Sequence, residues 1–292
     1  MNKWYEGTLY RPPSEANSLI VQSTIGCSQN QCTFCTMYKD KIFRIIKVKT
    51  VTQQIDELMI FYRQKIRKIF LADGDALIRS VDEQLQILQH IQKEYPFIER
   101  VSCYASPRSI LSKTLEELLK LRSAGLKLVY LGLESGSDEV LRKVGKGVKS
   151  IEMVHAADKI HQAGIQLSVT AIIGLGGREL TREHGVKTGE ILSLMKPEYI
   201  GLLTLMVPED SLMRDDILKG KFELLDSKET LEETKEILIH TDSEGSIFRS
   251  NHASNYLDLR GTLNKDKKKL IQQIDFAIEG KAKLKEEYCR GL

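Results

Sequence analysis

Three thiols crowd into one short stretch: Cys27, Cys32 and Cys35 within Gly26-Cys27-Ser28-Gln29-Asn30-Gln31-Cys32-Thr33-Phe34-Cys35. Thiolates on one loop can occupy one face of a metal centre, and sulfur donors select zinc, copper(I) or an iron–sulfur cluster. A closed zinc site needs four Cys or His ligands, yet the nearest further candidates along the chain, His90 and Cys103, belong to other elements. A [4Fe–4S] cube held by three cysteines leaves one iron open, so three thiols without a fourth suit a cluster that binds something. A zinc site completed from afar, in a binding or scaffold module, stands as the alternative. Cys103 lies in an apolar run and reads as core, and Cys289 reads as incidental. Five cysteines of uneven spacing make no disulfide framework and point to a reducing, cytoplasmic setting.

Other groups able to do chemistry sit at the ends of short apolar runs. Asp73, Gly74 and Asp75 follow Lys68-Ile69-Phe70-Leu71, and Glu134 follows Leu128-Val129-Tyr130-Leu131. Gly174, Gly176 and Gly177 follow Leu167-Ser168-Val169-Thr170-Ala171-Ile172-Ile173. With Leu19-Ile20-Val21, Arg100-Val101-Ser102-Cys103-Tyr104 and Ile200-Gly201-Leu202-Leu203, these runs predict six buried strands. Helices are expected between them, with capping-box starts at Thr50/Gln53, Ser80/Glu83 and Thr230/Glu233 and glycine stops at Gly125 and Gly164. Strands buried on both faces and alternating with helices imply a parallel sheet. The expected fold is therefore α/β, a partial (β/α)6-type TIM barrel, with a C-terminal α/β appendage. Residues 1–18 form a lead-in, 19–207 the barrel and 208–292 the appendage, which contains a helix near 228–241, an extended 246–249 and a helix near 264–283.

Composition supports an ordinary globular chain: 292 residues, 41% hydrophobic, 28% charged, with 43 basic against 40 acidic side chains leaving +3. That balance argues against a protein whose main role is neutralising phosphates. No apolar run approaches the ~18 residues of a bilayer span, and the N-terminus has no signal-peptide pattern, so membrane and secreted readings are set aside.

The cysteine segment resembles the radical S-adenosylmethionine superfamily, whose cluster motif is commonly C-x3-C-x2-C with an aromatic residue before the third cysteine. Phe34 fills that place, while four residues, Ser28 to Gln31, separate the first two cysteines instead of three. Leu71-Ala72-Asp73-Gly74-Asp75-Ala76 is similar to the family's Gly-Gly-Glu segment, which receives the methionine amino group. Gly132-Leu133-Glu134-Ser135-Gly136 resembles a stretch shared by the elongator catalytic subunit, methylthiotransferases and oxygen-independent coproporphyrinogen oxidases. Ala171-Ile172-Ile173-Gly174-Leu175-Gly176-Gly177 resembles the adenine-binding stretch.

The resemblance implies an enzyme with a [4Fe–4S] cluster on Cys27, Cys32 and Cys35. It places S-adenosylmethionine against Asp73, Gly74, Asp75, Glu134, Ser135, Gly174 and Gly176. One electron, from a donor such as flavodoxin or ferredoxin, then cleaves the sulfonium bond to a 5′-deoxyadenosyl radical that abstracts hydrogen from substrate. An ion pair of Glu134 with Arg142 is the structural alternative to a cofactor contact. Arg108, after a proline turn, offers bidentate pairing to the cofactor carboxylate or a plain surface position. The chain has no second cysteine cluster of the kind methylthiotransferases need.

For the substrate, the polar stretch Arg249-Ser250-Asn251-His252-Ala253-Ser254-Asn255-Tyr256 supplies His252 and Tyr256 as candidate catalytic groups, with Asn255 between them. A small molecule is expected rather than nucleic acid, because the lysines at 265, 267, 268, 269, 281, 283 and 285 read as a solvated helix surface. A transfer-RNA-modifying enzyme stays the alternative within the superfamily.

Overall fold

The computed structural model describes residues 4–58 and 60–291. In chain order the strands are β1 (Leu19–Gln22), β2 (Thr24–Ile25), β3 (Arg44–Ile45), β4 (Lys68–Ala72), β5 (Arg100–Ala105) and β6 (Leu126–Glu134). They continue as β7 (Gln166–Ile173), β8 (Tyr199–Thr204), β9 (Ile247–Ser250) and β10 (Leu259–Thr262). Eight of them hydrogen-bond in the order β1-β4-β5-β6-β7-β8-β9-β10, an open sheet, while β2 and β3 pair separately. Pairing is parallel from β1 through β6 and from β7 through β9; β10 returns antiparallel on β9. The six expected barrel strands are all present, and the extended 246–249 run adds a seventh parallel strand.

The helices are α1 (Val48–Glu57), α2 (Val81–Glu94), α3 (Pro107–Leu111), α4 (Leu115–Ser123), α5 (Asp138–Lys143) and α6 (Ser150–Gln162). After these come α7 (Gly177–Met195), α8 (Leu212–Leu218), α9 (Ser227–His240) and α10 (Lys267–Ile278). No helix among the described residues is long and apolar enough to cross a membrane. Two expected helix starts move. The helix α1 opens before Thr50, with Lys47 at its N-cap, and α9 opens one turn before Thr230, where Asp226 and Glu229 form the reciprocal capping box. Thr230 Oγ1 instead donates to Asp226 O at 2.7 Å inside the helix, and Glu233 is released to bond elsewhere.

Contacts group the chain into two compact units. One holds the residues up to Asn30, Met37–Leu131 and Asp158–Leu167; the other holds Gln31–Thr36, Gly132–Ala157 and everything from Ser168. In the first unit β4 is buried along Ile69–Ala72, as expected of a strand covered on both faces. In the second, β7 and β8 alternate buried with half-buried residues. Ser168, Thr170 and Gly201 are small or polar, so one face of these strands is left partly open, a departure from burial on both faces.

The part of the lead-in around Glu15 is a plug at the strand-start end of the first unit, where β5 begins at Arg100. Glu15, fully buried, lies in a 3₁₀ turn (Pro13–Glu15). Its Oε1 accepts from Arg100 Nη2 (2.7 Å), Ser102 Oγ (2.9 Å) and Tyr130 OH (2.6 Å), and Ser18 Oγ donates to Oε2. A buried carboxylate is tolerated only when donors surround it in this way. Burial and this hydrogen bond push the Tyr130 phenol far above its ordinary value. Elsewhere in the unit, His90 Nε2 meets Asp56 Oδ1 at 2.7 Å, tying α1 to α2, and Arg63, in the connection after α1, pairs with Glu94.

Candidate active site

All three clustered cysteines lie in the hairpin connection between β2 and β3, whose register pairs Thr24 with Ile45 and Ile25 with Arg44. Each is half-buried, and none is in a disulfide. Cys27 and its preceding glycine belong to the first unit and are held by the acidic segment after β4. Gly74 N–H donates to Gly26 O at 3.0 Å. A Cβ on Gly74 would stand 2.9 Å from Cys27 Cβ and 2.8 Å from Tyr38 Cε2, so glycine is what permits the approach.

Asp73, fully buried, receives Gln22 Nε2 (3.0 Å), Gly26 N–H (3.1 Å) and Lys41 Nζ (3.0 Å) on Oδ2, and Lys41 also reaches Thr8 O (2.5 Å). Its Oδ1 is buried with no partner among the described residues. Asp75 accepts from Ser28 Oγ (2.6 Å) and from Ser106 Oγ and N–H (2.8 and 3.2 Å), joining the cysteine loop to the N-cap of α3. Arg108, on the first turn of that helix, is exposed. Cys103 is fully buried and its thiol is pushed well up by desolvation, in keeping with a core role. Cys289 is exposed.

Cys32 and Cys35 belong to the second unit, where the loop between them is pinned on both sides. Thr33 N–H donates to Val144 O (2.9 Å) and Thr33 O accepts from Met213 N–H (3.1 Å). Phe34 packs on the apolar cluster of Val140, Val144, Leu175, Leu205 and Met213. The aromatic residue before Cys35 thus anchors this part of the loop on an apolar floor.

Glu134, at the end of β6, has φ +62°, a left-handed conformation that costs a non-glycine residue of order 1–3 kcal/mol. Its Oε1 pairs with Lys146 Nζ at 2.9 Å, both side chains being largely buried. Arg142 pairs with Glu139 instead. Gly132 makes room for the carboxylate, since a Cβ there would come within 2.1 Å of Oε1. Ser135 is fully buried, its hydroxyl 2.7 Å from His184 Nδ1. Gly174 (φ +84°) and Gly177 (φ +60°) bend the chain from β7 into α7, and Gly176 packs against His184 and Leu180.

Residues 21–189, more than half of the chain, match the family model described as the radical SAM superfamily. The chain belongs to that superfamily. It is accordingly an enzyme of a family that uses a [4Fe–4S] cluster and S-adenosylmethionine. The 4′-phospho-dehydrooxetanocin synthase of Priestia megaterium is 25% identical over 217 residues, covering 68% of this chain and 29% of that protein. The curated relatives matched are thus considerably longer, with less than half of each covered. Coproporphyrinogen III oxidase of Escherichia coli superposes with a TM-score of 0.57 at 16% identity, over 76% of this chain and 51% of that one. Methylornithine synthase superposes with a TM-score of 0.53 at 15% identity, over 89% and 81%. These similarities establish the partial barrel.

The residues fit the cofactors of a radical SAM enzyme. The donor set is three thiols with no fourth in the loop, and Gly74 permits a close approach to Cys27 that a Cβ would prevent. The buried, unpartnered Asp73 Oδ1 is an acceptor in want of a donor.

The 252–256 stretch follows β9. His252 is half-buried, with Nδ1 2.9 Å from Ser254 Oγ, and burial, reinforced by Lys285, pushes the imidazole below its ordinary value. Tyr256 OH donates to Glu287 Oε2 (2.6 Å), Arg290 stacks 4.0 Å above its ring, and burial with that hydrogen bond pushes the phenol up to about 12. Asn255 is buried and fully used, accepting from Thr204 N–H (2.7 Å) and donating to Leu202 O (2.8 Å). It clamps the end of β8. Of the seven lysines in this region, Lys267 and Lys285 are engaged on carbonyl oxygens and Lys281 pairs with Glu279.

Behind Ser135 and Gly174, His184 escapes the sequence reading and Glu233 enters it only as a capping-box residue; both side chains are fully buried. A signal existed. Glu233 falls on the apolar stripe of α9 with Leu231, Ile237 and Leu238, a position where a carboxylate needs a partner.

Proposed function

We propose that the chain holds a [4Fe–4S] cluster on Cys27, Cys32 and Cys35, where one electron cleaves S-adenosylmethionine to a 5′-deoxyadenosyl radical that abstracts hydrogen from a small-molecule substrate. The observation that carries this reading is the hairpin loop inside the matched region, with three half-buried cysteines outside any disulfide and a glycine pressed against the first. In this reading the carboxylates of Asp73 and Asp75 support the loop by fixing Gly26 and Ser28 on either side of Cys27. The unfilled Oδ1 of Asp73 and the backbone beside Gly74 receive the methionine amino group.

Glu134, held by Lys146, accepts from the cofactor ribose or amino group, with Ser135 locked behind it. Gly174 and Gly176 let the backbone approach the adenine, and Arg108 is free to swing to the carboxylate. Substrate meets His252 and Tyr256 beside the end of β8, and an external one-electron carrier such as flavodoxin or ferredoxin supplies the electron. The residues around the cofactor must also exclude water and stray hydrogen donors.

The test is anaerobic reconstitution followed by iron and sulfide analysis, electron paramagnetic resonance, and assay of 5′-deoxyadenosine. About four irons per chain, lost in Cys27→Ala, Cys32→Ala or Cys35→Ala, and reductive cleavage of the cofactor are expected. One tightly bound zinc without cluster uptake would replace this reading with a zinc-stabilised module.

A further inference from the structure

A buried polar network in the second unit lies behind the residues described above. Ser137 N–H donates to Ser135 Oγ (3.0 Å), Ser135 Oγ–H to His184 Nδ1 (2.7 Å), and His184 Nε2–H to Ile172 O (2.9 Å). Assigning the imidazole proton to Nε2 gives every donor in this run an acceptor. Thr188 Oγ1, one turn along α7, accepts from Gly136 N–H (3.0 Å). Glu233 closes the other side: Oε1, 3.4 Å from His184 Nε2, accepts from Gly174 N–H (2.6 Å), and Oε2 accepts from Thr181 Oγ1 (2.6 Å).

The network ends on backbone at two turns, 135–137 after β6 and 172–174 at the end of β7. Those turns adjoin or carry Glu134, Ser135, Gly174 and Gly176. A glycine-rich turn has little intrinsic preference for one shape, because glycine loses the most freedom on ordering. Burying a histidine and a carboxylate to hold such turns is costly, and apolar residues of equal volume fill space more cheaply. The polar solution does something apolar packing cannot: it fixes individual N–H and C=O groups of both turns in direction.

We propose that His184 and Glu233 are positioning residues for S-adenosylmethionine, holding the two turns in the arrangement the cofactor meets. Through Glu233, helix α9 becomes part of the cofactor machinery although it lies beyond the region matched by the family model. The proposal rests on the reading that these turns contact the cofactor.

The experiment compares Glu233→Ala, His184→Ala, Glu233→Gln and Thr181→Val with the parent chain, all anaerobically reconstituted; Glu232→Gln, exposed on the same helix, is the control. Iron content, equilibrium binding of S-adenosylmethionine, and the change in the reduced cluster's paramagnetic spectrum on adding it are measured. The two alanine variants should keep their iron, bind the cofactor about tenfold more weakly, and show a diminished spectral change. Glu233→Gln, which keeps an acceptor for Gly174 N–H, should recover part of the affinity, and the control all of it. Parent affinity with the parent spectral change in the alanine variants, whatever their melting temperature, overturns the proposal. If those variants do not fold, the same criterion applied to Glu233→Gln and Thr181→Val decides. An iron-loaded parent chain that binds no cofactor overturns this proposal and the reading beneath it together; binding that ignores the substitutions overturns the positioning role alone.

Discussion

Replacing Gly74 by Ala tests how tightly the cysteine loop is seated. The added methyl would lie 2.9 Å from Cys27 Cβ, 3.2 Å from Cys27 Cα and 2.8 Å from Tyr38 Cε2. Carbon atoms rest about 3.5–4.0 Å apart, so Cys27 or Gly74 must retreat by roughly 0.6 Å or more, and two of the three obstructing atoms belong to the proposed cluster ligand itself. Overpacking of this kind costs about 1–3 kcal/mol. Displacing the surroundings of a ligand typically weakens metal retention by about 10–100-fold. Expected, then, are a metal-free protein melting several degrees lower, at roughly 2–4 °C per kcal/mol for a chain of this size, and faster loss of iron to a chelator. Gly201→Ala is the matched control, since a Cβ there meets nothing closer than 3.8 Å. The assay follows absorbance of the reconstituted protein during chelator challenge. Iron retention by Gly74→Ala equal to that of the parent and of Gly201→Ala would refute the close seating of Cys27 on Gly74.

Other outcomes follow from the same geometry. Glu134→Ala should weaken S-adenosylmethionine binding by about tenfold in a dialysis assay while the iron content stays whole; iron loss with unchanged cofactor affinity would contradict the assignment. His252→Ala and Tyr256→Phe should preserve cofactor cleavage without substrate and lower turnover with it, so unaltered turnover in both would leave the 252–256 stretch as structural cover. Because burial pushes the His252 imidazole below its ordinary 6.5, the folded state favours the neutral ring: stability is whole above about pH 6.5 and declines as the pH falls through it. Melting curves of the parent between about pH 7 and 5.5 should therefore drop more steeply than those of His252→Asn. Glu15→Ala strips a buried carboxylate from Arg100, Ser102 and Tyr130 and should cost about 3–5 kcal/mol in urea unfolding.

The strands were legible because burial writes apolar runs directly into the chain, and Lys68 to Leu71 or Leu128 to Leu131 has no competing reading. Their pairing partners in the last part of the sheet were not, since β10 is held to β9 by backbone and its Leu259-Arg260-Gly261-Thr262 has no strong pattern. Capping motifs misled where two overlap: Asp226/Glu229 and Thr230/Glu233 both match the spacing, and only tertiary contact with Gly174 separates them. The ion pair of Glu134 was anticipated in kind but given to Arg142. The chain turns after α5, bringing Lys146 back to β6, while Arg142 stays near Glu139 on its own helix. The cysteine motif stands out at any level of reading. The groups that steady it, Lys41 among them, are spread through the sequence and acquire meaning only when folded.

Glu15 also bears on the order in which the protein assembles. Its partners Arg100, Ser102 and Tyr130 lie 85 to 115 residues later in the chain. During synthesis the N-terminal turn therefore waits, its carboxylate in water, until the third and fourth strands of the sheet have emerged. Contacts of such long separation form late and slow folding, because the intervening loop must close before they repay its entropy. The plug is thus a closing step for the first unit, and a nascent chain halted before Tyr130 leaves that end of the sheet open to chaperones and to other chains.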